Sequence, residues 1–115
     1  MKNLYLHFYR DTRLKNKNAL GAIDSTSQLL LHLIAVKKID NKPMTVTEAM
    51  SLSEVGGPST IHRKLDQLKD ANLIETVFIG SNRRRKYLIP SKESNMYFDK
   101  LSEVMIKTVD SFRKT

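Results

Sequence analysis

The sequence contains no cysteine, and this absence removes several classes of chemistry at once. Disulfide frameworks, zinc sites built on thiolates and cysteine nucleophiles are all excluded. The chain also lacks any run that approaches the roughly 20 apolar residues needed to span a membrane. Its first stretch, MKNLYLHFYRDTR, has neither the long apolar core nor the small-residue cleavage site of a signal peptide. We therefore expect a cytoplasmic protein with no membrane partner.

Recognisable catalytic and cofactor patterns are missing as well. The sequence has no nucleophile elbow, no glycine-rich phosphate loop after a strand, and no paired carboxylates near a histidine. Its histidines, His7, His32 and His62, are scattered along the chain and do not suggest a metal site. The sequence therefore predicts a protein that is not an enzyme and that uses no cofactor or metal.

What the sequence does have is an excess of positive charge. Its 115 residues include 20 Lys and Arg against 12 Asp and Glu, which gives a net charge of +8. The excess is concentrated in two places. Residues 1–20 contain five basic residues and one acidic residue, and residues 80–92 contain five basic residues and no acidic one. Such a balance favours polyanionic partners, with nucleic acid first among them.

The first third of the chain predicts a basic arm followed by a helix. Residues 3–9 are apolar and aromatic, and their pattern fits either a strand or a short helix. Residues 10–22 are polar and basic, which predicts a loop or a loosely held arm. The stretch DSTSQ then predicts a helix with Ser25 as its N-cap and Gln28 as the capping-box partner. We expect this helix to end near residues 40–41, before a proline.

Two further helices are predicted on either side of a glycine-rich turn. Thr45 and Glu48 make a second capping box, which predicts a short helix over about residues 46–53. The stretch EVGGP that follows is a strong turn signal. A third helix is expected to begin at Pro58 or Ser59, because proline suits the first turn of a helix.

The third predicted helix has two distinct faces. Its apolar residues recur at helical spacing as a narrow stripe: Ile61, Leu65 and Leu68. Asn72 suits the left-handed position that ends such a helix. The opposite side and its flank carry hydrogen-bonding groups: Ser59, Thr60, His62, Arg63 and Gln67. Since the first turns of a helix in the major groove reach base edges, these five residues are candidate DNA contacts.

A β-hairpin is predicted next. The stretches LIETVFIG and KYLIP are typical of strands, and SNRR between them turns the chain. The tip of this hairpin carries four consecutive basic residues: Arg83, Arg84, Arg85 and Lys86. The negative potential of a narrow minor groove attracts arginine side chains. These four residues are therefore the second group of candidate DNA contacts.

A last helix is predicted over about residues 92–113, with Ser91 as its cap. One stripe of this helix is apolar: Tyr97, Leu101, Val104, Met105, Thr108, Val109 and Phe112. Together with the aromatic residues near the amino terminus, it offers more apolar surface than one small domain readily buries. We therefore interpret the stripe as core or as the seam of a homodimer.

The order of these elements is that of a winged helix-turn-helix. Within it, MTVTEAMSLSEVGGPSTIHRKLDQLKDANLIETV resembles the central segment of MarR-type regulators, the multiple-antibiotic-resistance family. The matching features are the opening of the second helix at 45–48, the opening of the recognition helix at 58–61, and its close at 65–74. The hairpin resembles the family's Asp-x-Arg wing, although Asn82 stands where the family often has Asp.

This resemblance implies a fold and a function. The expected fold is α+β and mainly α, with a three-helix core, a β-hairpin wing and an additional C-terminal helix. Double-stranded DNA is the implied partner of a homodimeric transcriptional regulator, and a small-molecule effector is possible but not identified by the sequence. The implied organisation is an N-terminal arm or short element at 1–23, a winged-helix domain at 24–91, and a packing or dimerisation helix at 92–115.

Two other functions remain open at this point. A replication-initiation factor, or a plasmid or phage maintenance factor, can use the same fold on origin repeats. A winged-helix module can also bind an acidic protein through its basic wing and make no contact with DNA. Salt dependence separates the last alternative, because binding to phosphates weakens steeply with salt.

Overall fold

The computed structural model describes residues 3–15, 23–81 and 83–114. In chain order, its elements within those residues are α1 (Leu4–Lys15), α2 (Ser25–Ile39), α3 (Val46–Ala49), α4 (Pro58–Asp70), β1 (Ile74–Val77), β2 (Tyr87–Pro90) and α5 (Lys92–Lys114). This order confirms the predicted α+β, mainly α class. The chain divides into two compact units, one of Asp24–Ser94 and one of Met1–Ile23 with Asn95–Thr115.

The first unit is built around α2, which packs against α4 and against the hairpin. Its core side chains are almost completely buried: Leu30, Leu31 and Ile34 from α2, Ile61, Leu65 and Leu68 from α4, and Leu73, Ile74 and Leu88 from the hairpin region. The predicted apolar stripe of α4 is therefore confirmed as core. Because that stripe faces inwards, the geometry of α4 turns its polar face to solvent.

The start of α2 differs from the predicted one. Asp24, not Ser25, is the N-cap, and its Oδ1 accepts a hydrogen bond of 2.8 Å from the Ser27 backbone N–H. The end of the helix follows the prediction. Asn41 adopts a left-handed φ of 59°, and the Lys42 N–H donates to the Lys37 carbonyl at 3.0 Å, which is the hydrogen-bond pattern of a Schellman motif.

The short helix α3 begins as predicted but is shorter. The Thr45–Glu48 capping box is present, with the Glu48 N–H donating to Thr45 Oγ1 at 3.1 Å and the Thr45 N–H donating to Glu48 Oε1 at 3.1 Å. The helix ends at Ala49 instead of near residue 53, because the chain then closes tighter turns, such as Leu52 N–H to the Ala49 carbonyl. At Gly56, where φ is +157°, a Cβ atom would lie 3.2 Å from Thr60 Cγ2.

Both ends of α4 confirm the prediction. The helix starts at Pro58 after Gly57 as N-cap. It ends in a second Schellman motif, with Asn72 at a φ of 59° and the Leu73 N–H donating to the Leu68 carbonyl at 2.9 Å. This motif turns the chain directly into β1, so α4 and the hairpin are joined by a short, hydrogen-bonded connection.

The hairpin is antiparallel, with Ile74 opposite Pro90 and Val77 opposite Tyr87. Its first strand is shorter than LIETVFIG, since the ladder stops at Val77. The hairpin is also hydrogen-bonded to the residues before α3. The Leu88 N–H donates to the Met44 carbonyl at 2.7 Å, and an isolated bridge joins Thr45 and Tyr87.

Helix α5 starts as predicted, immediately after Ser91. The hydroxyl of Ser91 accepts a hydrogen bond of 3.2 Å from the Ser94 N–H. Ser94 Oγ in turn donates to the Leu73 carbonyl at 2.7 Å. All of these groups are buried, so the hydrogen bonds compensate for the loss of water around them.

The second unit contains α1 and the main part of α5. Residues 10–15 are helical in α1, which corrects the predicted loop over residues 10–22; residues 16–22 of that prediction lie outside the described residues. This helix is hydrogen-bonded to a residue distant in sequence: Thr108 Oγ1 donates to Asp11 Oδ2 at 2.7 Å. The predicted stripe of α5 is buried at Val104 and Thr108, whereas Met105 is 52% exposed.

Candidate DNA interface

The outer face of α4 carries the first group of predicted site residues. Ser59, His62, Arg63 and Gln67 are all exposed there. Thr60 is only half-buried and lies against the turn, since its Cγ2 is the atom closest to a Cβ built on Gly56. The structure therefore brings four of the five residues together on one solvent-facing surface and places the fifth at its edge.

His62 has an acidic neighbour on the same face. Its Nδ1 lies 3.4 Å from Oδ2 of Asp66, one helical turn further along, and both side chains are more than half exposed. Asp66 therefore brings negative charge to the C-terminal half of the face. A phosphate backbone is disfavoured there by like-charge repulsion, so the N-terminal half of α4 is the side suited to an anion.

Lys64 of α4 is not among the site residues predicted from the sequence. Lys64 is on the inner side, with its side chain only 15% exposed, and its Nζ lies 2.7 Å from Oδ2 of Asp24. The hydrogen bond from Lys64, together with that from the Ser27 backbone, lowers the pKa of Asp24 to about 2. The pair joins residues 40 positions apart, a separation at which no local sequence pattern could reveal it.

The second group of predicted site residues lies on the wing, by which we mean β1, β2 and the connecting residues 78–86. Arg83, Arg84, Arg85 and Lys86 are all exposed. Residue Asn82, where the sequence departs from the Asp-x-Arg pattern, lies outside the described residues. The guanidinium carbon of Arg83 lies 5.6 Å from the centroid of the Phe78 ring, within the range of a cation–π interaction.

An open cleft of about 610 Å³ separates the basic side chains of the wing from the first turn of α3. Thr45 to Glu48 line one side, and Phe78 and residues 83–86 line the other. Glu48 is the only acidic residue in this lining. Hydrogen bonds from Thr45 are the main cause that lowers the pKa of Glu48, and the positive charges of Lys37 and Arg85 lower it further. The cleft thus combines one fixed carboxylate with four cations.

Other kinds of site are not apparent in the described part of the chain. Among residues 3–15, 23–81 and 83–114, no three His, Asp or Glu side chains are grouped closely enough to hold a metal ion. No helix within the same residues has the length and apolar character needed to cross a membrane.

These elements define the class of the protein. Helix α3, the turn at residues 50–57 and helix α4, followed by an antiparallel hairpin with a basic tip, form a winged helix-turn-helix. The polar, partly cationic face of α4 and the basic wing belong to the same compact unit.

Solved structures share this fold over 96% of the chain. The transcriptional regulator Tm0710 from Thermotoga maritima superposes with a TM-score of 0.64 at 13% identity over 72% of its own chain. Rv1404 from Mycobacterium tuberculosis gives a TM-score of 0.61 at 16% identity, over 69% of its chain. Staphylococcus aureus MarR, in complex with salicylate and kanamycin, gives 0.50 at 19% identity, also over 69% of its chain. No protein-family model and no curated protein matches the sequence.

At these identities the likeness is one of fold. The predicted winged helix-turn-helix and its resemblance to MarR-type regulators are confirmed at that level. The chain is a winged-helix protein with the fold of proteins described as a transcriptional regulator and as MarR.

Proposed function

We propose that this protein is a sequence-specific, double-stranded-DNA-binding regulator of transcription that acts in the cytoplasm and is not an enzyme. The observation that carries the proposal is the joint exposure, in one compact unit, of the polar N-terminal half of α4 and of the four basic residues of the wing. Its fold, shared with a transcriptional regulator, supports the same function.

In this proposal α4 is the recognition helix and lies in the major groove. An α-helix fits that groove, and its first turns reach base edges. Arg63 has the fork geometry to bind O6 and N7 of a guanine, and Gln67 can bind an adenine edge one turn later. Ser59, His62 and, at the edge, Thr60 complete the surface. Lys64 is excluded from it by its ion pair with Asp24.

The wing is proposed to lie along the minor groove. Arg83, Arg84, Arg85 and Lys86 supply positive charge where the groove potential is most negative. If two or three of these residues neutralise phosphates, they contribute roughly −2 to −3 to the slope of log affinity against log salt for each protomer. The affinity of the wing should therefore fall steeply as salt rises.

We also propose that the protein binds DNA as a homodimer. Helices α1 and α5 expose large apolar side chains, including Tyr5 at 65%, Leu6 at 58% and Met105 at 52%. Leu4, Tyr5, Phe8, Met105, Thr108 and Val109 line an apolar groove of about 240 Å³ in this unit. Burial of such a surface between two copies would stabilise a dimer, and a two-fold dimer predicts half-sites about one helical turn apart.

The function is tested by binding across a salt series to duplexes of native upstream sequence and of random sequence. Wild type is compared with a variant in which Arg83, Arg84 and Arg85 are all alanine. A matched control replaces Lys100, Lys107 and Lys114, exposed residues of α5, with alanine, and so removes the same total charge outside the winged-helix unit.

The expected result is steeply salt-dependent binding by wild type and by the α5 control, with both affinity and slope reduced in the wing variant. Equal losses in the two triple variants would show that only net charge matters, which contradicts a role for the wing. Absence of duplex binding at low salt by folded wild type would contradict the proposed function itself.

A further inference from the structure

Phe78, at the start of the wing loop, is an exposed aromatic residue among basic side chains. Phe78 follows directly after the last ladder residue of β1 and is 38% exposed, although it lies among basic residues at the cleft. The Arg83 guanidinium lies over its ring, with 5.6 Å between Cζ and the ring centroid. This contact joins the start of the wing loop to its basic run.

A second arginine of the wing has a different neighbour. Arg85 and Glu48 line the same cleft, and Glu48 is fixed there by hydrogen bonds from Thr45. A carboxylate that restrains an arginine also neutralises its charge. An aromatic ring carries no net charge, so it can restrain a guanidinium through its quadrupole and leave the full positive charge in place.

We propose that Phe78 is a positioning residue for DNA binding, one that holds the Arg83 guanidinium over its ring in the orientation in which the wing presents it to the minor groove. This inference deepens the proposed function and rests on it. Arg83 is then a wing cation whose side chain is restrained before DNA arrives, without loss of charge. Restraint in advance reduces the conformational entropy lost on binding.

The expected size of the effect follows from the strength of such contacts. An exposed cation–π pair contributes about 0.5–1 kcal/mol, which corresponds to an affinity change of about two- to fivefold. Removal of the ring should therefore weaken DNA binding by that factor, and only while Arg83 is present. Removal of Arg83 should weaken binding further, because it also removes a charge that interacts with the phosphates.

The experiment is a double-mutant cycle on full-length protein, with a short duplex that contains an A-tract as the probe. Phe78→Leu, Arg83→Ala and the double variant are compared with wild type at fixed low salt. Phe78→Trp serves as the conservative control, because it keeps an aromatic face for the cation. Urea midpoints show that each variant is folded, and the shift of the Arg83 Nε–H proton reports whether the guanidinium still lies over a ring.

The inference predicts a two- to fivefold loss for Phe78→Leu in the wild-type background, no further loss in the Arg83→Ala background, and near-normal affinity for Phe78→Trp. Equal losses in both backgrounds would mean that Phe78 contacts DNA itself, and the absence of any loss would mean that Arg83 needs no restraint. Either result overturns the inference while the proposed function stands. If folded wild type binds no duplex, the proposed function and the inference fall together.

Discussion

Nζ of Lys64 lies 2.7 Å from Oδ2 of Asp24, and this ion pair connects the middle of α4 to the N-cap residue of α2. The same carboxylate caps α2 through its other oxygen, which accepts the Ser27 N–H. One side chain therefore fixes the start of one helix and the position of another. The Lys64 side chain is only 15% exposed, whereas that of Asp24 is 47% exposed. Removal of the carboxylate would therefore leave the ammonium group of Lys64 without its partner in a mostly enclosed position.

Substitutions at Asp24 should separate its two roles. Asparagine is as good an N-cap as aspartate but has no charge to pair with Lys64, whereas alanine provides neither. We therefore expect stability to decrease in the order wild type, Asp24→Asn, Asp24→Ala, as measured by urea midpoints at neutral pH. Ser25→Ala is the control, because Ser25 lies inside the helix and is not the N-cap. A loss for Ser25→Ala as large as that for Asp24→Ala would contradict this assignment.

The same carboxylate predicts a dependence of stability on pH. The pKa of Asp24 is lowered from 3.8 to about 2 in the folded protein, so the folded state binds this proton less readily than the unfolded chain. The stabilisation is complete above pH 3.8 and is lost as the pH falls through about 2.

Urea midpoints measured from pH 5 down to the acid limit of reversible folding, about pH 2, test this window. Wild type should lose more stability than Asp24→Asn over the range. Other carboxylates with lowered pKa values, Asp11 and Glu48, are present in both proteins, so the difference between the two curves isolates Asp24. Parallel curves would show that Asp24 titrates alike in the folded and unfolded states.

Much of the winged-helix unit could be predicted because its signals are local. Proline at the start of α4, the Ile61–Leu65–Leu68 stripe and the capping box at Thr45 each need only a few neighbouring residues, and the structure confirms all of them. The start of α2 was predicted one residue late, because aspartate and serine are adjacent and both are good N-caps. Asp24 also has a long-range partner in Lys64, which the sequence does not show.

Contacts distant in sequence account for the remaining differences. Residues 10–15 are polar and basic, but they belong to a helix whose Asp11 accepts a hydrogen bond from Thr108. In the candidate site, the predicted residues were those with obvious polar or basic character. Phe78 and Glu48, which line the cleft with the wing arginines, were missed because their importance comes from what the fold brings next to them.

Asn72 should contribute to stability through its backbone conformation. Its φ of 59° is left-handed, a region that costs most L-residues roughly 1 kcal/mol and costs glycine nothing. We expect Asn72→Ala to lower the free energy of unfolding by about 1 kcal/mol and Asn72→Gly to change it by only a few tenths. Urea denaturation measures both. Ala71→Gly, at the adjacent position with a φ of −79°, is the control and should not be stabilising. Equal stability of the alanine and glycine variants at position 72 would contradict the prediction.

Arg63 should determine specificity more than general affinity. With a duplex recovered by selection from a random library, Arg63→Ala should cost about 1–3 kcal/mol on the selected site and much less on random DNA. Substitution of the wing arginines should instead weaken both duplexes by similar factors, since phosphate contacts carry no sequence information. Lys69→Ala, at the exposed C-terminal end of α4, is the control. A uniform loss for Arg63→Ala would place this residue on a phosphate.

Met105 should contribute to the proposed dimer, because it is 52% exposed and lines the apolar groove between α1 and α5. Placing a charge there should oppose burial between two copies, since an unpaired charge is costly to remove from water. We expect Met105→Glu to shift the protein from dimer to monomer in sedimentation equilibrium and to weaken binding to a duplex with two half-sites more than to one with a single half-site. Asn95→Glu adds the same charge at an exposed polar position of α5 and should leave the dimer intact. If both Met105→Glu and Asn95→Glu are monomeric, the added charge and not its position causes dissociation. If wild type is monomeric, the proposed dimer is wrong.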